Sequence, residues 1–243
     1  MTNQDYKKEY DDNGFTCVRA MFGNDQLQAI STALEHYERE IRPTLDPKDY
    51  VMEKDGQSIR NLWRMEAHDP FFMKLAGDPE LLNLVGELVN GKPVLKGVET
   101  FNKPAKTGSG VPPHQDNAYF FRKPADVLTI WIALDPVTRA NGPVTYMRGS
   151  HKLGHLEHKP SGVTGNSMGL ARLPDKEDYP HCEGLLEPGD ALIHQCEIIH
   201  FSAPNRTEFP RRGLLMVFRG AHTDECPELK AAYARGGALQ PIA

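Results

Sequence analysis

VLKGVETFNK (residues 94–103), the Gly-, Pro- and Ser-rich AKTGSGVPP (105–113) and then His114-Gln115-Asp116 form the stretch on which the fold turns. Upstream of it, apolar residues recur at helical spacing. Downstream, they come in short runs split by Gly, Pro and Asn: 94–103, 127–134, 143–147, 191–194, 198–202 and 213–219. Runs of that length and spacing predict an all-β sandwich or barrel rather than βαβ units. The expected fold is therefore mainly β with flanking α-helices: a double-stranded β-helix, or cupin-like jelly roll, with helices packed outside its two sheets.

The helices lie in the first third. Asn24 is a candidate N-cap, and Leu27, Ile30, Leu34, Tyr37 and Ile41 follow at three- and four-residue steps until Pro43 ends the pattern. A second helix begins at Asp78 with Pro79 at its first position. It buries Leu81, Leu82, Val85, Leu88 and Val89, and stops at Asn90-Gly91. No repeat, low-complexity tract or linker divides the chain. We expect one domain over 1–243, with a helical part at about 1–92, a jelly-roll core at about 93–220 and a C-terminal tail at 221–243. The long, glycine-containing segment 155–181 reads either as an active-site lid or as a surface excursion.

Bulk properties narrow the function. Hydrophobic content is 39%, charged content 25% and net charge -5, ordinary for a globular protein and unsuited to a nucleic-acid or anionic-membrane surface. Arg211-Arg212 is too small a basic spot to track a phosphate backbone. Four cysteines (Cys17, Cys182, Cys196, Cys226) without C-x-x-C spacing read as reduced thiols. No apolar run approaches the ~20 residues of a membrane span, and the polar residues 1–14 do not read as a signal peptide. A cytoplasmic protein is expected, with no nucleic-acid or membrane partner.

The chemistry is carried by few residues. His114 and Asp116, two apart, would share one face of a strand. His200 must arrive from a distant strand. Two imidazoles and one carboxylate form the facial set that holds non-haem Fe(II), leaving positions for a bidentate 2-oxo acid and O2. Arg211, eleven residues after His200 at the mouth of the run 213–219, offers a planar fork for that acid's far carboxylate. Ser202 shares a strand face with His200 and could donate to the same group. Seven of the other histidines are read as having no special role: His151, His155, His158 and His181 in polar loops, and His68, His194 and His222 elsewhere. Two other classes fit part of the pattern. One is a zinc hydrolase, which leaves Arg211 without a task. The other is a non-catalytic jelly-roll protein that binds a metal or ligand.

The chain resembles the phytanoyl-CoA dioxygenase family of Fe(II)/2-oxoglutarate-dependent oxygenases. The matching stretches are His114-Gln115-Asp116 with Tyr119; Trp131-Ile132-Ala133-Leu134-Asp135; Asn141-Gly142-Pro143; Gly149-Ser150-His151-Lys152; Pro188-Gly189-Asp190-Ala191; and His200 through Asn205 to Arg211. The resemblance implies that His114, Asp116 and His200 ligate Fe(II), and that Arg211 and Ser202 hold 2-oxoglutarate. It also implies that Gln115, Trp131 and Asn102 line the cosubstrate pocket. The implied reaction is hydroxylation of an unactivated C–H bond by O2, releasing succinate and CO2. The same C–H abstraction could instead lead to desaturation, cyclisation or epimerisation. Halogenating relatives carry a small residue where Asp116 stands, which argues against halogenation here. Two positions depart from the pattern: Phe201 follows His200 where Gly is common, and Met147-Arg148 precede Gly149-Ser150-His151 in place of Ile-Pro. The substrate is expected to be a small molecule, free or carrier-tethered, meeting Tyr119, Phe120, Phe121, Met147, Arg148, the segment 155–181 and the segment 60–65.

Overall fold

The computed structural model describes residues 1–163 and 165–237. Its centre is a seven-stranded antiparallel sheet. In spatial order it runs β1 (Phe15–Val18), β12 (Ala191–Gln195), β7 (Val127–Ala133), β14 (Gly213–Gly220), β4 (Pro93–Phe101), β3 (Ile59–Leu62) and β2 (Tyr50–Met52). A four-stranded sheet faces it, in the order β11 (His181–Glu183), β8 (Val144–Met147), β13 (His200–Ser202) and β5 (Val111–His114). The expected jelly roll with flanking helices is the observed architecture.

The nearly continuous apolar run of β7, interrupted only by Thr129, is explained by burial on both sides, since every one of its residues is buried. Leu128, Ile130 and Ile132 point outward and, with Leu214, Met216 and Phe218 of β14, pack under the helices α1 (Asn3–Asn13), α2 (Asn24–His36), α3 (Met65–His68), α4 (Pro70–Ala76) and α5 (Pro79–Leu88). Trp131 and Ala133 point inward and meet Val144 and Tyr146 of the small sheet. Alternation along one strand thus separates a structural core from the inner face where a site can form.

The first third is less purely helical than its spacing predicts. The strands β1, β2 and β3 fall within it and extend both sides of the large sheet. They are short, three or four residues, too brief for a period-two signal to stand out. Gly23, not Asn24, takes the N-cap position of α2, with the Gln26 side chain accepting from its N–H. The apolar stripe continues past His36 as a π-turn over Tyr37–Ile41, which keeps Tyr37 fully buried. The Asp78 cap of α5 is as expected, its carboxylate accepting from Glu80 and Leu81 N–H. Leu84 rather than Leu82 completes the buried face.

Downstream, the described residues of segment 155–181 include the hairpin of β9 (His158–Val163) and β10 (Asn166–Leu170). The strands β6 (Arg122–Lys123) and β15 (Asp224–Glu225) pair, and α7 (Pro227–Gly237) follows. Of the predicted tail, residues 238–243 lie outside the described part.

Candidate active site

Strand β5 forms despite Pro112 and Pro113 because it lies at a sheet edge, where a missing N–H leaves no ladder bond broken. Its last residue, His114, is in register with His200, the first residue of β13. That pairing brings the two imidazoles together across 86 residues of sequence. The strand geometry expected for Asp116 is not found. The chain turns helical immediately after Gln115: Asp116 has φ -60° and ψ -28° and leads into the short helix α6 (Asn117–Phe120). This turn, rather than strand alternation, swings the carboxylate back beside His114.

The resulting geometry is compact. Asp116 Oδ1 lies 3.5 Å from His114 Nε2 and 3.5 Å from His200 Nε2. The three groups can present one ligand atom each, all within 4.8 Å of one another. Each imidazole is oriented by its other nitrogen: His114 Nδ1–H donates to the Pro112 carbonyl at 2.9 Å and His200 Nδ1–H to the Ile198 carbonyl at 3.1 Å. Both Nε2 lone pairs are therefore turned toward the carboxylate. Burial alone would raise the Asp116 carboxyl, but His200, His114 and His194 together hold it well below the ordinary carboxylate range. Burial, with His114 beside it, pushes His200 well below the usual imidazole value despite Asp116. A neutral imidazole and an ionised carboxylate are the forms that bind a divalent metal.

The second oxygen of Asp116 is held by residues that sequence reading gave no role. Thr129 Oγ1 donates to Oδ2 at 2.9 Å, and His194 Nε2 lies 3.1 Å from it. His194 Nδ1 is in turn 2.9 Å from the Tyr146 hydroxyl. Thr129 and His194 are register partners on neighbouring strands of the large sheet. The available signal was a pair of polar residues on the inner face of otherwise apolar strands.

The triad opens into a cavity of ≈ 410 Å³ that also receives Trp131, Ser202 and Arg211. Arg211 is buried, with its guanidinium 4.8 Å over the Trp131 ring. The indole lies against Gly213, where an added Cβ would come within 2.2 Å of it, so the seat requires glycine. The Arg211 Nε and Nη1 atoms are buried without a hydrogen-bond partner among the described residues. Burial and Arg60 push the group down to about 9, still a cation at neutral pH. Unpaired buried donors of this kind are costly and fit a carboxylate ligand. The donor set of the triad likewise fits a divalent iron.

Of the predicted substrate-side residues, Tyr119, Phe120 and the segment 60–65, through Asn61, Trp63 and Arg64, line the cavity. Five predicted residues do not. Gln115 is turned away: its amide donates to the Gly154 and Glu197 carbonyls and accepts from Leu156 N–H, fastening the start of the hairpin segment. Asn102 is buried behind the wall with its N–H donating to the Arg60 carbonyl. Met147 alternates away from Tyr146 and packs with Leu170 and Ile199. Arg148 is exposed beside Cys182, and Phe121 packs on Tyr233 of α7. The segment 155–181, expected to meet the substrate, supplies wall residues through its hairpin, Gly165 and Asn166. It is tied down by the Tyr119 hydroxyl, which donates to the Met168 carbonyl and accepts from Met168 N–H and Asn166 Nδ2.

Comparison with known proteins agrees with this geometry. A probable phytanoyl-CoA dioxygenase of Caenorhabditis elegans is 33% identical over 182 residues, covering 71% of this chain and 58% of the relative. The chain thus spans little more than half of that relative's length. The solved structure of EctD from S. alaskensis with 2-oxoglutarate and 5-hydroxyectoine superposes with a TM-score of 0.76 at 19% identity, covering 90% of this chain and 76% of that one. The non-heme alpha ketoglutarate dependent epimerase SnoN from nogalamycin biosynthesis superposes at 0.73 and 21% identity, covering 91% and 84%. The family model described as Phytanoyl-CoA dioxygenase (PhyH) matches residues 10–213. By that match, which takes in His114, Asp116, His200 and Arg211 together, the chain belongs to the phytanoyl-CoA dioxygenase family.

Proposed function

We propose that the protein is a non-haem Fe(II)- and 2-oxoglutarate-dependent oxygenase that hydroxylates an unactivated C–H bond of a small molecule, free or carrier-tethered. The observation that carries this reading is the buried, unpartnered guanidinium of Arg211 in the same cavity as the His-Asp-His set. A zinc hydrolase would have no use for that charge. When bound, iron and 2-oxoglutarate supply the oxidation by O2, with release of succinate and CO2.

The protein's own residues bind and orient. His114, Asp116 and His200 hold the metal. Thr129 and His194 fix the carboxylate so that Oδ1 faces it. Arg211, with the Ser202 hydroxyl, holds the far carboxylate of 2-oxoglutarate against Trp131. Tyr119 and the hairpin close one wall and exclude water. The four cysteines are free and no helix among the described residues is long and apolar enough to cross a membrane, which supports the cytoplasmic reading.

The test is succinate formation from 2-oxoglutarate by anaerobically loaded protein on admission of air, with Asp116→Ala as the control. Fe(II)- and 2-oxoglutarate-dependent succinate release is expected in the wild type and none in the variant. Wild-type succinate release without Fe(II), or equal release from the variant, would contradict the reading. A product that gains one oxygen atom would distinguish hydroxylation from desaturation or epimerisation.

A further inference from the structure

One acidic side chain in the cavity has no partner among the described residues. Glu99 on β4 is in register with Leu215 on β14, which is in register with Trp131 on β7. Residues side by side in a sheet leave it on the same face. The Glu99 side chain therefore shares the inner face of Trp131, and it lines the cavity with Asp116 and Arg211. It has no hydrogen bond or ion pair to any described residue.

The other charged groups lining the cavity are accounted for. Arg64 is bound to Asp49. Lys96 is at the exposed rim, 5.5 Å over the Phe120 ring. Arg211 sits over Trp131 at the cosubstrate end. Asp116 is surrounded by His114, His200, His194 and Thr129. Burial, reinforced by Asp116 and Glu66, pushes the Glu99 carboxyl up to about 8. An ionised carboxylate in such surroundings weighs against the stability of the unliganded protein, whereas leucine at that place would not. A ligand that brings its own positive charge offsets that cost and draws the carboxyl into its ionised form.

We propose that Glu99 sets the substrate class of this cavity: it pairs with a protonated nitrogen, so the substrate is a small organic ammonium or amidinium compound. This rests on the oxygenase reading of the same cavity. Neutral compounds of the same shape would leave the carboxylate unpaired, and anionic ones would meet it as a like charge.

The test separates the two readings. Anaerobic protein loaded with Fe(II) and 2-oxoglutarate is examined for the visible charge-transfer band of that complex. The band is then titrated with matched probes: n-hexylamine against n-hexanol, and n-butylamine against n-butanol and n-butyrate. In the wild type the amines are expected to perturb the band at concentrations about tenfold or more below their partners, as expected for a desolvated charge pair. Glu99→Gln should keep the band, showing an intact fold and cosubstrate site, and lose the preference; Glu99→Asp should retain part of it. Equal or tighter binding of the neutral or anionic probes, failure of any amine to perturb the band, or an undiminished preference in Glu99→Gln would overturn the proposal while leaving the oxygenase reading in place. A wild-type protein with no such band would overturn both.

Discussion

At the scale of single residues, the proposed site divides into groups placed to touch the ligands and groups that hold those groups still. Arg211 belongs to the first. Removing its fork takes away charge-assisted hydrogen bonds worth about 1.5–3 kcal/mol each. We expect Arg211→Ala to raise the 2-oxoglutarate concentration for half-maximal succinate formation by roughly 10- to 100-fold. Arg211→Lys should recover only part of the loss, because an ammonium cannot replace a planar fork. His194 belongs to the second group. It was indistinguishable in sequence from a core histidine, yet it braces the Asp116 oxygen that faces away from His114 and His200. His194→Leu is expected to lower Fe(II) affinity by about 10- to 100-fold, measured by anaerobic titration, with the folded state retained. Unchanged affinity would mean that Thr129 alone orients the carboxylate.

At the scale of elements, the site exists because two sheets face one another and a hairpin closes one side. Three hydrogen bonds join the Tyr119 hydroxyl to the hairpin β9–β10. The short helix α6 thus does two tasks: it turns Asp116 toward His114, and it anchors the wall. Tyr119→Phe leaves the ring but removes the hydroxyl, at a cost of about 1–2 kcal/mol. The expected result is faster amide hydrogen exchange at Met168 and its hairpin neighbours, with exchange in β7 and β14 unchanged. Exchange that stayed slow at Met168 would show that packing, not the hydroxyl, secures the hairpin. The same region shows why segment 155–181 was ambiguous in sequence. Its glycines and polar residues look like a loop, and contacts with distant residues, Tyr119 and Gln115 among them, give it its place.

For the molecule as a whole, the cavity costs stability. Glu99 keeps its proton in the fold up to about 8, whereas its ordinary value is 4.5. Between those values the folded state binds more protons than the unfolded one, so this group's contribution falls as pH rises. In the metal-free protein, Glu99→Gln should therefore gain more stability over wild type at pH 8 than at pH 5.5, by on the order of 2 kcal/mol, read from paired denaturant titrations. Taking the difference between variant and wild type removes the buried histidines, whose lowered values act in the opposite direction at acid pH. An equal gain at both pH values would place the carboxyl in a more solvated setting than its burial implies. The sequence by itself determined the jelly roll, through runs such as that of β7, and pointed to His114, Asp116, His200 and Arg211, which the structure brings into one cavity, because side-chain alternation and ligand chemistry are local properties of the chain. Only the tertiary structure decided that Asp116 reaches His114 through a helical turn, that His194 and Thr129 hold it, that Gln115, Asn102, Phe121, Met147 and Arg148 stand outside the cavity, and that Glu99 stands within it unpaired. Those outcomes depend on strand register and on which face of a sheet meets another, and both are fixed by contacts between segments far apart in the chain.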